Sequence, residues 1–175
     1  MIQPEFSRPI RLGPDRRDIT LEANAAERAA LARRFGILGI GALTATLRLE
    51  PEAGGSVQAR GRLSARVEQL CVVTLEPVAQ RVEAPIDLRI LAEGEEPAEE
   101  DPDSPDEIES LGGVVDLGEA VAEQLALALD PYPRAEGASL PPLDDEAPRG
   151  GPGDGPPAEP ARPNPFAGLA KLREG

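Results

Sequence analysis

Three long stretches of this chain alternate apolar and polar side chains with a period of two, and that pattern limits what it can fold into. In Ile37–Glu50, Leu43, Ala45, Leu47 and Leu49 fall on one parity, and Thr44, Thr46, Arg48 and Glu50 on the other. In the second stretch Val57, Ala59, Leu63, Ala65, Val67 and Cys71 oppose Gln58, Arg60, Arg62, Arg66 and Glu68. In Glu76–Ile90, Val78, Val82, Ala84, Ile86, Leu88 and Ile90 oppose Arg81, Glu83, Asp87 and Arg89. A Pro51-Glu52-Ala53-Gly54-Gly55 turn joins the first two. Such runs describe an antiparallel sheet packed on one face and wet on the other. Arg17–Glu22 (RDITLE) adds a shorter strand.

Two helices accompany the strands. Asn24 is placed to cap a helix over Ala25–Phe35, with Glu27 completing a capping box and Gly36 ending it. Arg33 and Arg34 fall near its C-terminus, where the macrodipole favours cations. Val114-Val115-Asp116-Leu117 leads into a second helix that runs to about Leu129 and stops before Pro131. Leu117, Val121, Leu125 and Leu129 or Ala128 form its apolar stripe. The pattern predicts an α+β domain over residues 1–133, mainly antiparallel sheet with two helices.

Charge divides the rest of the chain. The formal net charge is −14, but residues 1–92 carry 13 Arg against 11 acids, whereas residues 93–161 carry 2 Arg against 20 acids. The acidic part holds a Pro-interrupted run, EGEEPAEEDPDSPDEIES, read as a solvated loop inserted at 93–112. A Pro/Gly/acid-rich linker is expected over 134–163. The last residues, 164–175, open with Asn164-Pro165 as a helix start and space Phe166, Leu169 and Leu172 along one face. They read as a short helix that docks on a protein, or that covers an edge of its own domain.

The residue inventory excludes most enzyme classes. There is no His and one Cys among 175 residues, which removes Ser-His-Asp and Cys-His catalysis, His-ligated metals and an internal disulfide. No cofactor, no metal site and no catalytic residue is expected. Gly39-Ile40-Gly41 belongs to no complete phosphate-binding glycine motif, since position 44 is Thr. The acids Asp116, Glu119 and Glu123 lie around one helix start, whose cap and dipole explain Asp116 and Glu119 without chemistry. The absence of a long apolar run and of a signal-like N-terminus predicts a cytoplasmic protein without a membrane partner.

What remains is a set of cations on the wet parity of adjacent strands: Arg48, Arg60, Arg62, Arg66, Arg81 and Arg89. Guanidinium groups so gathered can follow a phosphate backbone, each presenting a planar fork of donors. They can equally be a solvated face cross-paired with Glu68, Glu83 and Asp87. The face has no aromatics for base stacking. Cys71, on the apolar parity, reads as a small packed hydrophobe.

Three landmarks together resemble the YceD family of large ribosomal RNA subunit accumulation proteins. They are Cys71-Val72-Val73-Thr74-Leu75-Glu76-Pro77-Val78, then Val115-Asp116-Leu117-Gly118-Glu119 leading through Glu123-Gln124 to Asp130-Pro131-Tyr132-Pro133, and the terminal Asn164-Pro165-Phe166-Ala167. The resemblance implies a non-enzymatic factor supporting large-subunit ribosomal RNA accumulation and ribosome assembly. Many members carry C-x-x-C where this chain has Cys71 and Thr74, so a metal or redox role is not carried over. With it, Arg48, Arg60, Arg62 and Arg66 become the expected contacts to RNA or a pre-ribosomal particle, and Phe166, Leu169 and Leu172 the expected protein-docking residues. The alternative is an adaptor or chaperone for a basic ribosomal protein with no direct RNA contact.

Overall fold

The alternating stretches become strands that share one sheet. In the computed structural model, which describes residues 5–97 and 104–139, the chain runs β1 (Pro9–Arg11), β2 (Arg17–Glu22), α1 (Ala25–Phe35), β3 (Gly39–Pro51), β4 (Val57–Leu70), β5 (Pro77–Leu91), β6 (Asp106–Glu109), β7 (Val114–Asp116) and α2 (Leu117–Ala128). These elements lie in one unit, Met1–Leu140. The main sheet has the order β2-β3-β4-β5-β6, antiparallel except for the parallel β5–β6 pair. β1 and β7 form a separate antiparallel pair.

The apolar parities face one core. Leu43, Leu47, Leu63, Ile86, Leu88 and Ile90 are buried together with Leu31 of α1 and Leu117, Val121 and Leu125 of α2, so both helices cover the same side of the sheet. With aromatics at 2% of the chain, aliphatic side chains fill this layer, joined by the fully buried Phe6. The Arg8 guanidinium stacks over the Phe6 ring at 4.6 Å and pairs with Glu27. Glu27 in turn accepts from the Asn24 N–H at 2.8 Å while its own N–H donates to Asn24 Oδ1 at 3.0 Å. That reciprocal cap and Gly36 at φ 66° bound α1 as the sequence predicts.

One feature of the second helix departs from the sequence expectation. Val114–Asp116 is a strand as well as an entry, because its backbone pairs with Pro9–Arg11. Asp116 then joins three segments. Its Oδ1 accepts from Arg8 N at 2.7 Å and from Gly118 N at 3.0 Å, and its Oδ2 accepts from Ser7 Oγ at 2.5 Å.

The acidic insertion also departs from a plain loop. Asp106–Glu109 adds to the sheet edge, with Ile90 opposite Ile108 and Arg89 opposite Glu107. Ser110 Oγ donates to Leu91 O at 2.8 Å. A run dense in carboxylates enters the sheet because one apolar residue reaches the core margin and one arginine neutralises the acids beside it. The expected docking residues Phe166, Leu169 and Leu172, and the segment 140–163, lie outside the described residues.

Candidate nucleic-acid interface

Strand register decides what the polar face can bind. The wet parities of β2 to β5 stack into rows that run across the sheet. One row reads Asp18, Arg48, Arg60, Asp87, each residue directly opposite the next. The next rows read Thr20, Thr46, Arg62, Pro85, then Glu22, Thr44, Ser64, Glu83, then Ala42, Arg66, Arg81.

All four arginines singled out from sequence therefore lie on one face, yet their surroundings differ. Arg48 holds Asp18 with Nε at 2.8 Å and Nη2 at 3.3 Å. That contact keeps the Asp18 carboxyl below the usual carboxylate range. Arg60 Nε reaches Asp87 at 3.3 Å. Their row is neutral, each cation matched by its own acid. Arg62 and Arg81 share Glu83, at 3.9 and 3.3 Å, with side chains 71% and 74% exposed. Arg66 has no ion pair among the described residues and sits directly across from Arg81. Like charges facing each other across strands are unfavourable, and Glu83 of the adjacent row relieves Arg81 but leaves Arg66 unmatched among the described residues.

The Arg66–Arg81 row borders an open depression of about 480 Å³ whose lining includes Ala42, Thr44, Ser64 and Ala79. Small side chains leave the surface low between the guanidinium groups, and hydroxyls add further donors. Exposed ion pairs such as Arg62–Glu83 contribute about 0–1 kcal/mol, so an incoming anion displaces them at little cost. Glu68 flanks the Arg66–Arg81 row on one side, and the row of Glu22 and Glu83 separates it from Arg62 on the other, so the cations form two short patches.

Arg89, the sixth cation of the sequence pattern, is occupied elsewhere. It donates to Glu52 at 2.9 Å, Glu95 at 2.7 Å and Glu107 at 2.9 Å, tying the β3–β4 turn and β6 to β5. Ser56 Oγ also donates to Glu95, and Gln58 Nε2 to Asp87. Glu95 is held below its ordinary pKa by Ser56, Arg89 and the Ala92 N–H. This end of the face is a closed structural network. Sequence parity placed Arg89 on the correct face but carried no information about which acids would reach it.

Cys71 is fully buried at the other end of β4. Its Sγ accepts from the N–H groups of Val73 and Thr74 at 3.4 Å and of Ala135 at 3.3 Å. Hydrogen bonding from the Thr74 side chain first, then from Ala135 and the other N–H donors, brings the thiol down to about 6 against the opposing effect of burial. The sulfur thus fastens the chain after α2 onto the β4–β5 turn. Among the described residues no group of three or more Cys, Asp or Glu is arranged to hold a metal ion.

The family model described as large ribosomal RNA subunit accumulation protein YceD matches residues 59–173. The chain belongs to the YceD family. The match begins within β4, so Arg60, Arg62, Arg66 and Arg81 fall inside it and Arg48 outside. YceD is named for accumulation of an RNA rather than for a catalysed reaction. No curated protein and no solved structure matches the chain at a significant level. No helix among the described residues is long and apolar enough to cross a membrane.

Proposed function

We propose that this protein supports large-subunit ribosomal RNA accumulation as a non-catalytic factor that holds RNA phosphates at Arg62, Arg66 and Arg81. The observation that carries the reading is the Arg66–Arg81 pair, two like charges set face to face, of which Arg81 has only the exposed pair with Glu83 and Arg66 has none among the described residues. A fold gains nothing from such a pair, whereas a phosphate seated between two guanidinium forks relieves their repulsion and accepts hydrogen bonds from both. Arg48 and Arg60 contribute less in this reading because Asp18 and Asp87 already satisfy them. Thr44, Thr46 and Ser64 are available for sugar hydroxyls and phosphate oxygens. The lack of aromatics on the rows supports backbone contact rather than base readout.

The terminal Asn164–Leu172 segment falls inside the matched region and supplies a second, protein-docking contact through Phe166, Leu169 and Leu172. The test is association of the full chain with pre-ribosomal particles. Arg66→Gln with Arg81→Gln lowers it, and truncation before Asn164 lowers it separately. Undiminished sedimentation of the double variant with those particles overturns the phosphate reading.

A further inference from the structure

A second surface lies at the end of the sheet where β4 turns into β5. Leu70 is 46% exposed, Val72 47%, Leu75 71% and Tyr132 71%. Val72, Leu75 and Tyr132 share this end of the sheet, and Leu70 adjoins them on the wet parity of β4, next after Glu68. Val72 N donates to Pro133 O at 2.8 Å, which sets Tyr132 beside the turn. The turn itself is closed by Leu75 N donating to Cys71 O at 2.9 Å and Cys71 N donating to Glu76 O at 2.8 Å. The Cys71 sulfur, with its three N–H donors, fixes both segments together.

Leu75 is the telling residue. Its φ is 59°, and it is the one non-glycine residue with positive φ among those described. A γ-branched side chain is a poor choice for the left-handed region, where Gly or Asn is at ease. Leucine there is also held out into solvent, so the core receives nothing in return for the strain. A side chain that is costly to the fold in conformation and in exposure is explained by a contact made outside the domain.

The rim identifies the chemistry of that contact. Glu68, Glu76, Asp130 and Glu136 are all exposed within the two segments, against Arg134 as the only cation there. Asp130 is anchored in place, its carbonyl accepting from Gln69 Nε2 at 3.0 Å and its Oδ1 from Tyr132 N at 2.9 Å. The cationic row at Arg66 and Arg81 lies further along the sheet, with Glu68 between. Apolar anchors inside an acidic rim suit a basic partner with apolar side chains and repel nucleic acid.

We propose that the Leu70, Val72, Leu75 and Tyr132 surface docks a cationic protein segment bearing apolar side chains. It is a protein contact distinct from the arginine rows and does not depend on them. The probe is a short labelled synthetic peptide alternating Arg and Leu, titrated against the full chain by fluorescence anisotropy. Its Ser-for-Leu counterpart, of the same charge, reports attraction to carboxylates alone. The Arg-Leu peptide binds more tightly than the Arg-Ser peptide, and Leu75→Asn and Tyr132→Ser each weaken it by roughly tenfold or more, as at interface anchors. Asn accepts the left-handed backbone, so Leu75→Asn melts no lower than the parent and its loss of binding is not a loss of fold. Equal binding of the two peptides overturns the proposal, as does undiminished affinity of the variants. Sedimentation showing a dimer of the full chain that Leu75→Asn dissociates reassigns the surface to a second copy. Loss of ribosomal RNA binding by Leu75→Asn reassigns it to RNA. Either result overturns the protein docking.

Discussion

The spacing of the arginine rows depends on one glycine, and replacing it is the sharpest structural perturbation available. Gly61 stands in β4 directly opposite Leu47, between Arg60 and Arg62. A Cβ built there would lie 1.9 Å from Thr46 O and 2.9 Å from the Leu47 Cα. Both atoms are backbone, so no side chain can rotate away. Relieving the clash to a bare minimum of about 3 Å moves one strand by about 1 Å, which breaks the neighbouring ladder hydrogen bonds. Each buried backbone group left unpaired costs about 1–3 kcal/mol, and two or more are affected, so Gly61→Ala should lose about 3 kcal/mol or more. That is a large share of a typical total of about 5–15 kcal/mol. Gly41 serves as the internal comparison, because a Cβ there meets its nearest atoms at 3.8 and 3.9 Å, ordinary contact distances. Gly41→Ala should change stability by less than about 1 kcal/mol, with a gain from the stiffer unfolded chain. Urea unfolding of both variants, followed by circular dichroism, measures the difference. A Gly61→Ala midpoint matching that of the parent would refute the close approach of β3 and β4.

Three further outcomes are expected. For Cys71, the thiol is lowered to about 6 in the folded chain against about 8.5 when free, so the thiolate's contribution is fully present above the free value and is lost as pH falls through 6. Stability of the parent should therefore rise with pH between those values more steeply than that of Cys71→Ser, as read from urea midpoints in a pH series. Leu75→Asn should gain about 0.5–1 kcal/mol by relieving the left-handed leucine, raising Tm by about 2–4 °C in a calorimetric scan. Asp116→Ala removes the α2 cap and the acceptor for Arg8 N and Ser7 Oγ, and should cost about 2 kcal/mol or more in urea unfolding.

Period-two alternation revealed the three long strands and their buried faces because each residue's parity is a local property. The α1 cap was legible for the same reason, with Asn24, Glu27 and Gly36 all within one element. β1 and β7 were hidden since each contributes three residues and their pairing joins positions more than 100 apart in sequence. β6 was hidden because composition pointed to solvent while a single pairing, Ile108 opposite Ile90, pointed inward. The candidate site divides along the same line. Parity gathered six arginines on one face, but register alone distinguishes Arg48, facing Asp18, from Arg66, facing Arg81. A shift of two residues between β4 and β5 would preserve every parity and exchange which cations are neutralised. Arg89 shows the limit most clearly, since its three acids come from a turn, a loop and an edge strand.

The most direct measurement is the salt dependence of the full chain's affinity for a single-stranded fragment of large-subunit ribosomal RNA. Contacts from Arg62, Arg66 and Arg81 should give a log–log slope of about −2, and Arg66→Gln with Arg81→Gln should reduce its magnitude by about 1.4. Arg48→Gln, whose partner is Asp18, should leave the slope unchanged. Equal slopes for the parent and the double variant, or an equal loss on replacing Arg48, would contradict phosphate binding at the Arg66–Arg81 row.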